Sequence, residues 1–157
     1  MHKIVIRKLN HIDISVISAL IIENAKHTLS SVYSDDQMQA FLSYYSVEAL
    51  QQKMIRADFF CAIIDDEIVG VIGLEDDMVI GFYIKLDFLG KGIGKALLNY
   101  IENLAQYKGL INIQLASSPV SISFYEKHGW LPVKAIYPTY SGVIFEELLM
   151  QKELIAI

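Results

Sequence analysis

Leu89-Gly90-Lys91-Gly92-Ile93-Gly94-Lys95-Ala96-Leu97-Leu98 is the stretch that decides the fold. Its three glycines follow an apolar run, residues 78–86, and precede Ile93, Leu97, Ile101, Leu104 and Ala105, which recur at helical spacing. The pattern predicts a strand, a tight glycine turn and the opening of a helix. Residues without side chains let the backbone approach a ligand closely, and the first N–H groups of a helix lack intrahelical acceptors and carry partial positive charge. Their natural guest is a phosphate or pyrophosphate. The plainer reading, glycines that merely build a turn, stays open on these residues alone. A P-loop would need glycine in place of Leu89 and Ser or Thr in place of Ala96. A dinucleotide fingerprint begun at Gly90 or Gly92 would need its last glycine at Lys95 or Leu97.

With 157 residues the chain is read as a single domain, 1–157, long enough to bury roughly two-thirds of its unfolded surface without a staple. A single cysteine, Cys61, lies in the apolar run 59–64, which excludes an intrachain disulfide and favours a reducing, cytoplasmic home with Cys61 as a packing residue. Hydrophobic residues make up 54% and the mean hydropathy is +0.38, yet no run approaches the roughly 18 apolar residues of a spanning helix, so no membrane is expected. The opening Met1-His2-Lys3-Ile4-Val5-Ile6-Arg7-Lys8 has too short an apolar core for a signal peptide. Thirteen Lys and Arg stand against 18 Asp and Glu, a formal charge of −5, which lacks the electrostatic footprint of a nucleic-acid binder and suits a cationic small substrate better.

Residues 3–9 are expected as a first strand, and Asp13 as the cap of a helix bearing Ile14, Ile17, Leu20 and Ile21. Ser34-Asp35-Asp36-Gln37 has the form of a capping box ahead of Met38, Phe41, Leu42 and Tyr45, and Ser46 is placed to cap a further helix through Leu50 and Met54. Three apolar runs, 59–64, 68–74 and 78–86, are separated by Asp65-Asp66-Glu67 and Glu75-Asp76-Asp77, the pattern of an antiparallel meander. The helix after the glycine turn is expected to stop at Gly109, and residues 110–115 to form a buried strand parallel to 78–86 by a right-handed crossover. A short helix over 120–128 ends at Gly129, and 130–137 with 143–151 make a last strand pair. The fold class is α/β: a mixed, mostly antiparallel sheet with a central parallel pair and helices on both faces.

Three stretches together resemble the GCN5-related N-acetyltransferases: 78–98, 118–130, and Ile6-Arg7-Lys8-Leu9 with Asp13. Phe124-Tyr125-Glu126-Lys127-His128-Gly129-Trp130 is similar to that family's Phe-Tyr-Glu-Lys-x-Gly-Phe. Tyr33-Ser34 through Phe41 resembles the early helices of a bacterial branch whose substrates are poorly assigned. The resemblance implies acetyl-CoA as cosubstrate, in a cleft where the two parallel strands splay. It implies that backbone near Phe82, Tyr83 and Ile84 pairs with the pantetheine arm and that Leu89, Gly90, Lys91, Gly92, Ile93, Gly94 and Lys95 wrap the pyrophosphate. Leu89 stands where the family usually has Gln or Arg, and the backbone cradle does not depend on that side chain. Ser118 stands where many members have Asn, to hydrogen-bond the cofactor or cap the helix.

The implied reaction is direct attack of a primary amine of a small molecule or peptide on the thioester, with a backbone N–H stabilising the oxyanion. Tyr125 matches the family tyrosine that protonates the departing thiolate; a phenol of pKa about 10 can pass a proton to a thiolate of about 8.5. A packing role for Tyr125 is the alternative. The base is the least defined part. An alkylammonium of pKa about 10.4 costs about 4.6 kcal/mol to deprotonate at pH 7, and Met78 stands where some relatives carry a glutamate. Glu75, Asp76 and Asp77 are nearby but read first as a solvated turn, and His128 as a helix-end residue. No Cys and His spacing suggests a metal. Tyr137, Tyr140 and Phe145 fall near the last hairpin, on the acceptor side or at a core edge. The rival function is a fold relative that binds acetyl-CoA as a sensor or scaffold without turnover. The apolar composition is compatible with a homodimer, with no interface to name.

Overall fold

The computed structural model describes residues 3–155; the leader reading at Met1 and His2 lies outside them. The chain opens with strand β1 (Val5–Lys8), then a 3₁₀ turn (His11–Asp13) and helices α1 (Ile14–Thr28), α2 (Asp35–Tyr44) and α3 (Val47–Arg56). Asp13 precedes α1, but its carboxylate does not cap it. It takes two hydrogen bonds from the Arg7 guanidinium, at 2.8 and 3.1 Å, and one from the Asn10 N–H at 2.8 Å, tying β1 to the 3₁₀ turn instead. The capping box of α2 is present: the Gln37 N–H donates to Ser34 Oγ at 3.1 Å and the Ser34 N–H to Gln37 Oε1 at 2.9 Å. Ser46 caps α3 through the Ala49 N–H at 3.2 Å. Each such cap stabilises its helix by about 1 kcal/mol.

Strands β2 (Asp58–Ile64), β3 (Glu67–Glu75) and β4 (Met78–Ile84) form the expected meander, all antiparallel. β4 ends at Ile84 rather than Leu86, because Leu86–Phe88 winds into a 3₁₀ turn that carries the chain to the glycines. Helix α4 (Ile93–Tyr107) follows and ends before Gly109, whose φ of 85° is the left-handed stop expected there. Strand β5 (Asn112–Ser117) begins two residues later than its apolar run suggests, and helix α5 (Ile122–Lys127) is shorter than predicted, with Gly129 at φ 90° behind it.

The last part departs most from expectation. Residues 143–151 are not one strand: β6 (Leu131–Ile136) pairs with β9 (Glu147–Glu153), while β7 (Thr139–Tyr140) and β8 (Val143–Ile144) form a separate ribbon. The break lies at Phe145, whose N–H donates to Pro138 O at 2.8 Å and whose fully buried ring packs on Tyr33 and Tyr140. The main sheet runs β1-β2-β3-β4-β5-β9-β6.

Alternation along the meander sends side chains to two cores. Phe60, Ala62, Ile72 and Leu74 face α4 with Leu97, Leu98 and Ile101; Phe59, Cys61 and Val71 face α1, α2 and α3 with Ile17, Ile21 and Leu50. Cys61 is buried and unpaired, as its packing role requires.

Two backbone features in the middle of the sheet make the site. Val71 opposes Tyr83 but Gly73 opposes Ile80, so β4 carries one more residue than β3 across that interval, a bulge at Gly81, whose φ is 59°. Beside it, β4 meets β5 in parallel at Met78 opposite Gln114, with the Gln114 N–H on Asp77 O at 2.8 Å. No further paired position joins them among the described residues, and the bent β4 leaves β5 to open a cleft.

Candidate active site

A cleft of about 940 Å³ opens at this splay. Phe82, Ile84, Gly90, Gly92, Gly94, Lys95 and Ser118 line one half; Asn24, Tyr33, Tyr44, Tyr45, Lys53, Tyr140 and Glu147 line the other. Tyr125 lines it too, between Phe82, with ring centroids 6.2 Å apart, and Trp130 at 5.9 Å.

The glycine half is shaped for an anion. Gly90 and Gly92 have φ of 75° and 82°, and a Cβ built on either meets nothing within 4 Å, so bare backbone faces open space ahead of the fifteen-residue α4. Gly94 does a different job: a Cβ there would lie 3.3 Å from the Phe124 ring, so its absence lets α4 close on α5. This half therefore fits a pyrophosphate by backbone.

The residues expected at the cofactor side divide. Phe82, Tyr83, Ile84, Leu89, Gly90, Gly92, Gly94, Lys95 and Ser118 line the cleft. The Ile93 side chain is buried in the core under α4, which leaves only its backbone for the role expected of it, and the Lys91 ammonium sits 5.1 Å from the Phe88 ring centroid. Phe82 and Tyr83 point to opposite faces of β4: Phe82 stacks towards Phe124 at 6.0 Å, whereas Tyr83 packs on Tyr45 at 5.4 Å in the second half. Ser118 does not cap α5. Its Oγ lies 3.4 Å from Ser121 Oγ, in the turn whose Ser121 N–H donates to Ser118 O.

Sequence patterning does not single out the feature that dominates the second half. Glu147, the first residue of β9, has its carboxylate inside the cleft, where it accepts a hydrogen bond from the Tyr140 hydroxyl. Burial holds the carboxyl above the ordinary carboxylate range, and the Tyr140 hydrogen bond partly counters this. Tyr44 packs at a tilt on Tyr140 at 4.5 Å and meets Tyr45 edge-on at 5.1 Å, giving an aromatic wall. Burial first, then the Glu147 charge, push the Tyr125 phenol up, so Tyr125 is protonated at any neutral pH.

Lys53 also lines this wall. It is buried, donates to Tyr44 O at 2.7 Å and lies 3.5 Å from the Tyr44 ring centroid. Desolvation, then the nearby Arg56 charge, pull its pKa down to about 8. Glu75 accepts from Arg56 at 3.3 Å, and Asp76, at φ 54°, is exposed in the turn. His128 is held by α5, with Nδ1 2.8 Å from Phe124 O. Tyr137 is exposed on Glu146, so of the last-hairpin aromatics Tyr140 is the one that reaches the cleft.

A bulged β4 splayed from β5, a glycine turn feeding a helix and a buried tyrosine between them define an acyl-transfer cleft built for a nucleotide-bearing thioester. The acetyltransferase (GNAT) domain family matches residues 29–141, and the chain belongs to that family. It is similar to spermidine N(1)-acetyltransferase of Thermoplasma acidophilum, 28% identical over 139 residues, 80% of this chain and 86% of that protein. Among solved structures, the PaiA N-acetyltransferase of Thermoplasma acidophilum in complex with coenzyme A is 27% identical at a TM-score of 0.78, covering 96% of this chain and 99% of that one. A GCN5-related N-acetyltransferase from Rhodopseudomonas palustris shares the fold at a TM-score of 0.90 and 20% identity, covering 96% and 95%. The chain is an acetyl-CoA-dependent N-acetyltransferase acting on amines. Among the described residues no helix is long and apolar enough to cross a membrane.

Proposed function

We propose that this enzyme acetylates a primary amine of a small aliphatic molecule, with di- and polyamines as the leading acceptors, by direct attack on acetyl-CoA. The observation that carries this reading is the composition of the second half-cleft: a half-buried carboxylate, Glu147, among tyrosine rings. Such a box attracts an alkylammonium by charge and accepts its methylene chain against aromatic faces. The resemblance to a spermidine N(1)-acetyltransferase points to the same chemistry.

In this reading the β4 backbone at Phe82, Tyr83 and Ile84 extends the sheet onto the pantetheine arm, and residues 89–95 cradle the pyrophosphate through backbone N–H groups and the exposed charges of Lys91 and Lys95. Ser118 borders the arm from the β5 side. Tyr125 donates a proton to the departing thiolate; its raised pKa keeps that proton in place until the thiolate forms.

The test is thiol release from acetyl-CoA over a panel of diamines, polyamines, amino acids, aminoglycosides and peptides. The proposal expects kcat/KM for linear diamines and polyamines at least tenfold above the other classes. Preference for peptides or aminoglycosides would overturn the acceptor assignment.

A further inference from the structure

We propose that Glu147 is the base: its carboxylate receives the reacting nitrogen of the acceptor and takes a proton from it. This rests on the reading of the tyrosine-lined half as the amine site. An alkylammonium with pKa about 10.4 has no lone pair to attack with at neutral pH, so the reaction needs a proton acceptor beside the nucleophile.

Glu147 differs from the other carboxylates bordering the cleft. Glu75 is engaged with Arg56, and Asp76 and Asp77 belong to the turn between β3 and β4. Glu147 lies inside, oriented by the Tyr140 hydroxyl, and its charge is felt by groups from every element around it: Tyr140 of β7, Tyr33 after α1, Tyr44 and Tyr45 at the end of α2, Tyr83 of β4 and Tyr125 of α5. All these phenols are pushed up, first by burial, with the Glu147 anion as a further cause. One carboxylate therefore lines the acceptor pocket in the same cleft as Tyr125, the acid that serves the sulfur. Lys53, the cation on the same wall, is bound to the Tyr44 carbonyl, which leaves the Glu147 charge for a cation from outside.

The proton balance closes. Glu147 takes the first proton from the ammonium and passes it to water in the cleft. The freed lone pair attacks the thioester carbonyl carbon, the C–N bond forms and the C–S bond breaks. Tyr125 protonates the thiolate and is itself restored by the second N–H proton, so one amide, one thiol and one released proton result.

Glu147→Gln keeps the side-chain shape and an oxygen for the Tyr140 hydroxyl, while Glu146→Gln, on the neighbouring exposed residue, serves as control. Thiol release is followed from pH 4 to 9 with 1-aminobutane and with 1,4-diaminobutane. Expected for Glu147→Gln is a loss of kcat/KM of about 100-fold with both amines, together with loss of the acidic limb of the pH profile. Glu146→Gln should match the wild type. Tyr140→Phe removes the bond that lowers the Glu147 pKa and should move the acidic limb to higher pH. A loss confined to the diamine and to KM would make Glu147 a distant charge anchor and overturn its role as base, as would an unchanged pH profile. A wild-type enzyme that acetylates neither amine would overturn the amine-site reading itself and this role with it.

Discussion

Gly81→Ala tests the device that opens the cleft. Gly81 sits at φ 59°, where an L side chain costs about 1–2 kcal/mol. A Cβ there would also lie 2.8 Å from Phe59 Cε1, on a ring that is itself buried and pressed against Gly73, where a Cβ would lie 2.6 Å from the same atom. Phe59 has no room to retreat, and overpacking of this kind costs about 1–3 kcal/mol. The two effects sum to about 3 kcal/mol, a large share of the roughly 5–15 kcal/mol that holds a domain together. Urea unfolding followed by the fluorescence of Trp130, the single and buried tryptophan, reads the change directly. Phe59→Leu separates the terms: it removes the ring atoms that the new methyl would strike, so the double variant should be more stable than additivity predicts, by about 1–2 kcal/mol. A loss below about 0.5 kcal/mol in the single variant would refute both the bulge and the Phe59 contact as the reason for glycine here, and strict additivity in the cycle would refute the Phe59 contact alone.

Three further outcomes follow from the same structure. Gly92→Ala places a methyl group on a left-handed residue that faces open space, so the fold should survive with a loss of about 1 kcal/mol while coenzyme A affinity, measured by calorimetry, falls several-fold; unchanged affinity would remove this turn from the cofactor site. Asp13→Asn should cost about 2 kcal/mol at pH 7 by denaturant unfolding; because Arg7 holds the Asp13 pKa below its unfolded value, the penalty should persist at neutral pH and fade as pH drops through the range below about 4, and a pH-independent difference would contradict the pairing. Lys53 has a folded pKa of about 8, below its unfolded value near 10.4, so the unfolded chain binds more protons between those values and the wild type should gain stability there relative to Lys53→Met; a constant difference across pH 8–10 would show that the ammonium is not desolvated.

Much of this architecture is legible from local chemistry. Ser34 and Gln37, Ser46, Gly109 and Gly129 mark helix ends because caps and left-handed stops are decided within a few residues. The acidic turns after Ile64 and Leu74 separate the strands for the same reason. The glycine turn is readable because alternation to 3.6-residue periodicity changes across it. What was not legible depends on partners far along the chain. Glu147 reads as one charge in a strand; only the arrival of Tyr140, Tyr44 and Tyr33 around it makes it a half-buried carboxylate inside the cleft. The break at Phe145 hides inside an apolar run, since what bends the chain is the seat for that ring against Tyr33. Asp13 looks like a helix cap until Arg7 from β1 takes its carboxylate.

The most direct measurement on the central claim is steady-state thiol release from acetyl-CoA with 1,4-diaminobutane as acceptor, comparing the wild type with Tyr125→Phe. The loss of a general acid should lower kcat about 100-fold. The KM for acetyl-CoA should stay within about twofold, because the phenyl ring keeps its packing on Phe82 and Trp130. Equal kcat values would contradict the account by making Tyr125 a packing residue and leaving the thiolate to another proton source.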